Sequence, residues 1–170
     1  GGGGTIDASG SSPAATLSFT AASSPNFFEN PGDRVLTLTG DHTGDNLFAM
    51  AIAEAGGTTS LNKTGPGRWI IGGVNSYNGP TIISNGTLLV NGSTATGAVS
   101  VLAGSTLGGT GVVRGGVSQD GTIAPGVGIG TLTISNQVYA YATAVYRFEL
   151  GGTNAPTDYD QLVVSDVHTL

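Results

Sequence analysis

The sequence has no cysteine, one tryptophan, one methionine and very little charge. Without cysteine there is no disulfide framework, no thiol redox centre and no thiolate metal ligand. Charged residues are 9% of the chain, against about a quarter in an ordinary globular domain. The basic residues are Lys63, Arg34, Arg68, Arg114 and Arg147, scattered and unclustered within a net charge of −6. Nucleic-acid binding needs clustered Lys and Arg to displace phosphate counterions, so that partner is disfavoured. No stretch approaches the ~18 consecutive apolar residues of a membrane helix, and no membrane insertion by this segment is expected. No basic-then-apolar leader pattern opens the chain at Gly1, which reads as the start of a mature or excised piece.

What is present is glycine, 30 residues of it, with Thr, Ser and Asn covering the surface that charge leaves bare. Hydrophobic residues remain at 38%, so the chain can form a core, and 170 residues suit one domain spanning 1–170. The pattern is short alternating runs. Leu36 and Leu38 alternate with Thr37 and Thr39, Val99 and Val101 flank Ser100, and Leu132 and Ile134 alternate with Thr131 and Thr133. Tyr146, Phe148 and Leu150 are expected to face one way, Arg147 and Glu149 the other. Period two places one set of side chains in a core and the other in solvent, and β-branched residues suit a pleated, half-buried surface. Turn signals separate the runs, among them Asn78-Gly79, Asn85-Gly86, Asn91-Gly92 and Pro125-Gly126. Only 47–55 (LFAMAIAEA) has helical composition. It is expected to be strand like its neighbours.

A Gly-Thr-(Ile/Leu) element recurs at Gly4-Thr5-Ile6, Gly86-Thr87-Leu88, Gly121-Thr122-Ile123 and Gly130-Thr131-Leu132, with Ser105-Thr106-Leu107 as a variant. Two of the intervals suit one coil of a solenoid, while the interval from Thr122 to Thr131 is shorter than a coil. A sandwich of closely spaced strands remains the competing architecture.

The segment 60–92, SLNKTGPGRWIIGGVNSYNGPTIISNGTLLVNG, resembles the autotransporter-associated β-strand repeat, or passenger-associated transport repeat, of bacterial β-helical passenger proteins. The matching positions are Leu61, Lys63, Gly65, Gly67 and Trp69, then Asn75, Tyr77 and Gly79, then Gly86, Thr87 and Leu88. The flanks 99–111, 121–135 and 148–165 are similar to the segments C-terminal to this repeat in such proteins. The resemblance implies an all-β, single-domain, right-handed parallel β-helix, exported to the extracellular space or the bacterial surface. It implies a scaffold and no particular activity.

The candidate sites read as structural. Asp41 with Asp45, and Asp158 with Asp160, are the nearest acid pairs. Asp158-Tyr159-Asp160 precedes the strand 162–164, where acids commonly accept backbone N–H bonds, so no metal is expected there. A zinc site needs three or four ligands, which His42 and His168 do not assemble. Gly126-Val127-Gly128-Ile129-Gly130 follows Pro125 and precedes a strand, so it is a corner rather than a phosphate loop. Trp69 and Tyr77 are expected to pack, and Tyr139, Tyr141 and Tyr146 to form an exposed stripe. No catalytic residue, cofactor or metal is assigned. The expected role is a non-enzymatic stalk, or a fibre subunit by head-to-tail stacking of copies, since 162–170 ends in strand with only Asp166 and His168 to discourage pairing. The alternative is a glycan-binding or glycan-cleaving β-helix, whose partner would be a host or environmental glycan.

Overall fold

The computed structural model describes residues 2–12, 15–20, 31–54 and 56–166. Every pairing between its strands is parallel, and partners are never consecutive in the chain. The chain therefore winds: it leaves a face, crosses the others, and returns one layer along. This is a parallel β-helix, and no helix occurs among the described residues.

Three faces make up the coil. Face A stacks Gly2–Asp7, Arg34–Thr39, Thr59–Lys63, Thr81–Ile83, Val99–Val101, Val117–Gln119 and Val138–Ala140. Face B stacks Ser18–Phe19, Asn46–Phe48, Arg68–Ile71, Thr87–Val90, Thr106–Gly109, Thr122–Pro125 and Val145–Tyr146. Face C is shorter, with Val112–Val113, Thr131–Ile134 and Gln161–Val164. The single bridges from Val74 to Ser93 and from Ser93 to Val112 extend it.

Period two becomes columns of like side chains. On face A, Leu36, Leu61, Thr81, Val99, Val117 and Val138 lie in register and are all buried. On face B the column is Asn46, Trp69, Leu88, Leu107, Ile123 and Tyr146. Each buried Leu or Val contributes about 1.5–3 kcal/mol of transfer free energy, while the outward column Thr87, Thr106, Thr122 meets solvent.

The recurring triplets fall into place. Thr87, Thr106 and Thr122 stack on face B, so the intervals between them are coil lengths. Thr131 lies on face C of the same coil as Thr122, which is why that interval is short. Thr5 lies on face A, against Thr37.

Three expectations need correction. In 47–55, strand covers only Asn46–Phe48, and 49–54 carries none, while Ala55 lies outside the described residues. This segment must bend round a corner. It does so with Ile52 fully buried and its N–H donated to Asn75 Oδ1 at 2.7 Å. Next, the run through Tyr146, Phe148 and Leu150 does not bury one face: the strand ends at Tyr146, and Leu150 is 81% exposed. After Arg147 N–H bonds to Ile123 O at 2.9 Å, the chain leaves the coil, held by Glu149 N–H to Asp160 Oδ2 and an antiparallel bridge from Leu150 to Tyr159. Finally, the tyrosine stripe is a pair. Tyr139 and Tyr141 are exposed, but Tyr146 packs against the core. The expected C-terminal strand spans Gln161–Val164, and 167–170, including His168, lie outside the described residues.

Candidate functional site

The repeat segment builds two adjoining coils, and its marked residues occupy the places where a coil is hardest to close. Lys63 ends a face A strand with its side chain turned inward, in register with Leu38 and Ile83. It is fully buried, and its Nζ donates to the carbonyls of Thr64 at 2.7 Å, Gly65 at 2.8 Å and Asn85 at 3.0 Å. Three carbonyls at the A–B corner point into the core, and the ammonium has three protons to satisfy them. Burial without a carboxylate partner pulls its pKa down to about 8. The same corner is served farther along by Ser105 Oγ, within hydrogen-bond distance of Ile83 O and Leu102 O, with one proton to share between them. Beyond that, Gln119 Nε2 donates to Gly121 O and Val145 O.

Gly65 turns this corner with φ of +68°, and a Cβ there would lie 2.6 Å from Gly40 O. Only glycine supplies both the left-handed backbone and the space. Gly86 repeats the arrangement one coil along, at φ +68° and 2.4 Å from Gly67 O. Gly67 abuts His42 O in the same way.

Trp69 then points into the core, fully buried, and its Nε1–H donates to Thr39 O at 2.8 Å. A buried indole needs that partner. Asn75 sits at the next corner as a side-chain rung: Oδ1 accepts from Ile52 N–H, and Nδ2 donates to Gly73 O and to Ser93 O at 2.6 Å. Tyr77 is fully buried with its hydroxyl 2.5 Å from Thr81 Oγ1, and burial pushes its pKa up to about 12. Gly79 N–H bonds to Thr59 O at 2.9 Å, and a Cβ at Gly79 would strike that oxygen. Thr87 faces outward and Leu88 inward, the latter stacked on Trp69. Apart from the outward Thr87, these residues close corners and fill the core.

The other candidates are also committed within the fold. Asp45 pairs with Arg68, half-exposed, a basic neighbour that sequence distance concealed. Asp160 Oδ1 accepts from Gly130 N–H at 2.9 Å and Oδ2 from Glu149 N–H at 2.8 Å. The exposed Asp158 carboxylate accepts from the backbone and side chain of Asn154, from Thr157 and from Thr153, and those bonds hold its pKa below the usual range. Gly126 meets Gly109 in a short antiparallel bridge before the strand Thr131–Ile134, as a corner does.

His42 is buried beside the first coil, with Gly44 N–H donating to its Nδ1 at 3.2 Å and its Nε2 lying 2.9 Å from Ser12 O. Sequence reasoning did not find this network, in which Asn46 Nδ2 also reaches Arg68 O at 2.9 Å. His42, Gly44 and Asn46 are close in sequence, but Ser12 and Arg68 reach them from neighbouring coils, and no local spacing signals those contacts. Among the described residues, no group of three His, Asp or Glu is placed to hold a metal ion.

Fold and corner chemistry together define a β-solenoid with repeating coils. Residues 61–90 match the Passenger-associated-transport-repeat. Over 96 residues, 56% of its length, it is 35% identical to an adhesin, the BmaC autotransporter of Brucella suis biovar 1 (strain 1330). Over 98 residues, 57% of its length, it is 34% identical to an extracellular serine protease of Serratia marcescens. The matched stretches span 3% and 9% of those two proteins respectively.

Proposed function

We propose that this chain is a non-enzymatic structural segment of a secreted or surface-displayed bacterial protein, acting as a stalk or, through end-to-end contact, as a fibre subunit. The observation that carries this reading is the uninterrupted interior. From Leu36 to Ile134 the inward columns are buried, and the polar groups among them close corners. Such a stack transmits load along its axis through ladders of parallel hydrogen bonds. The kinship with passenger proteins supports an extracellular or bacterial-surface setting. One relative is named a protease and the other an adhesin, so sequence similar to this chain occurs in proteins with different tasks, as suits a scaffold.

The stacking variant rests on edges. Among the described residues, Gly2–Asp7 and Ser18–Phe19 have a strand neighbour on one side only, as do Val138–Ala140, Val145–Tyr146 and Gln161–Val164 at the other end. An open edge recruits another strand, and joining unlike ends gives a heterologous contact that does not close. Negative-stain micrographs of the purified chain test this. Filaments one stack wide are expected, and Thr5→Pro should suppress them. Gly2 N–H bonds to Asp33 O, so alternation aims the Thr5 N–H at the open edge, where proline removes a donor without cost to the ladder inside. Dispersed monomers from the unaltered chain would defeat the fibre reading and leave the stalk.

A further inference from the structure

Two tyrosines lie exposed on the outer surface of face A. Tyr139 is 47% and Tyr141 60% exposed. Tyr139 continues the outward column Ser100, Ser118, Tyr139, set by the register of three successive strands. Tyr141 belongs to a second outward column, Leu102, Asp120, Tyr141, each following directly on the paired inward residues Val101, Gln119 and Ala140. Between the columns lies an open groove of about 600 Å³ lined by Ser100, Leu102, Ser118, Asp120, Tyr141 and Thr143. Its volume falls in the range of small-ligand sites.

We infer that this groove binds a neutral glycan chain, with Tyr141 as the stacking platform. A sugar presents an apolar C–H face and a rim of hydroxyls that need both donors and acceptors. The groove matches that division. Tyr141 and Leu102, the latter 43% exposed, supply apolar surface, and an aromatic ring with a polar tip suits a site that is wet on one side. Ser100 and Ser118 stand in register on neighbouring coils, giving hydroxyls at the strand repeat of about 4.8 Å. Asp120 is the acceptor, and Thr143 fixes it, its hydroxyl lying within hydrogen-bond reach of both the Asp120 carboxylate and the Asp120 backbone carbonyl.

Charge selects within the class. Asp120 is the one charged residue lining the groove, and the chain carries −6 overall, so uronate and sulfated chains are repelled. A second copy of this chain is the less fitting occupant, because a carboxylate, Asp120, and the hydroxyl residues Ser100, Ser118 and Thr143 stand among the apolar lining, whereas the centre of a protein–protein contact is depleted of charge and of serine. The site is lateral, so it does not depend on the axial role proposed above.

Saturation-transfer NMR on the full chain tests the assignment, with soluble hexasaccharides of glucose, mannose, xylose and N-acetylglucosamine as probes and a galacturonate trimer as charged control. At least one neutral probe should bind saturably, and Tyr141→Ala should weaken it about tenfold with no change in melting temperature. Leu150→Ala, an exposed apolar change outside the groove, should leave binding as it was. The assignment is overturned if no neutral probe binds at millimolar concentration, if Tyr141→Ala leaves binding intact, or if the galacturonate trimer binds best. It is equally overturned if Tyr141→Ala alters sedimentation of the chain while sugar binding stays put, which would make the tyrosines a contact between copies.

Discussion

The coils between Thr59 and Pro125 and the last coil beyond them stack on the same faces, yet they differ in finish. In the middle, the inward side chains of Leu61, Trp69, Ile83, Leu88, Val101 and Leu107 are fully buried. In the last coil, Tyr146, Leu162 and Val164 only lean on the core, and Phe148 and Leu150 face solvent. The middle returns to each face after nearly equal lengths of chain; the last coil carries an excursion, 149–160, stitched by Asp158 and Asp160. Regular coils hold the fold together. Irregular ones have surface and loops to spare, which is where repeat proteins place their binding faces.

The contrast can be broken by mutation. Trp69→Ala should cost the most, about 3–5 kcal/mol, from the cavity and from the stranded Thr39 carbonyl; urea unfolding measures it. Gly65→Ala comes next at about 2–3 kcal/mol, because it adds a clash with Gly40 to the left-handed penalty. Gly104→Ala, at φ +80° with open space beside it, should cost only about 1 kcal/mol. Equal costs at the two glycines would mean that coil-to-coil proximity is not what holds Gly65.

Lys63→Met should cost about 1–3 kcal/mol by orphaning three carbonyls, and it should also change the pH response. With a folded pKa near 8 and an ordinary unfolded value of 10.5, the unfolded chain holds the extra proton between those limits. The penalty of the buried charge is complete below pH 8 and gone above 10.5, so unfolding free energy should rise with pH across that window. Tyr77 acts the other way: its pKa is raised from 10.0 to about 12, so its contribution is lost as pH climbs through that range. The rise should vanish in Lys63→Met and the later fall remain. Smallest of all, Leu150→Ser should change stability by less than about 0.5 kcal/mol.

Much of this was legible in the chain itself, in uneven ways. Alternation exposed the strands, and the stacked triplets at Thr87, Thr106 and Thr122 exposed the coil length. The triplets at Thr5 and Thr131 show the limit of that signal: Gly-Thr-(Ile/Leu) encodes a strand start after a tight turn, and any face can use one. The bend at 49–54 was hidden because its direction is set by neighbours in the next coil, Asn75 and Gly73. The His42, Asn46 and Arg68 network was hidden for the same reason. Periodicity misread 146–150, since carboxylates at Asp158 and Asp160 draw the chain out of the coil. The groove beside Tyr141 needed register between coils, which spacing within one strand does not contain.

Because the protein lacks cysteine, spin labels can be placed singly and in pairs at Thr87, Thr106 and Thr122, outward positions that the fold sets on consecutive layers. Parallel stacking predicts strong dipolar broadening for 87 with 106 and for 106 with 122, at one strand spacing of about 5 Å, and clearly weaker coupling for 87 with 122. Equal coupling in all three pairs, or none between 87 and 106, would contradict the solenoid.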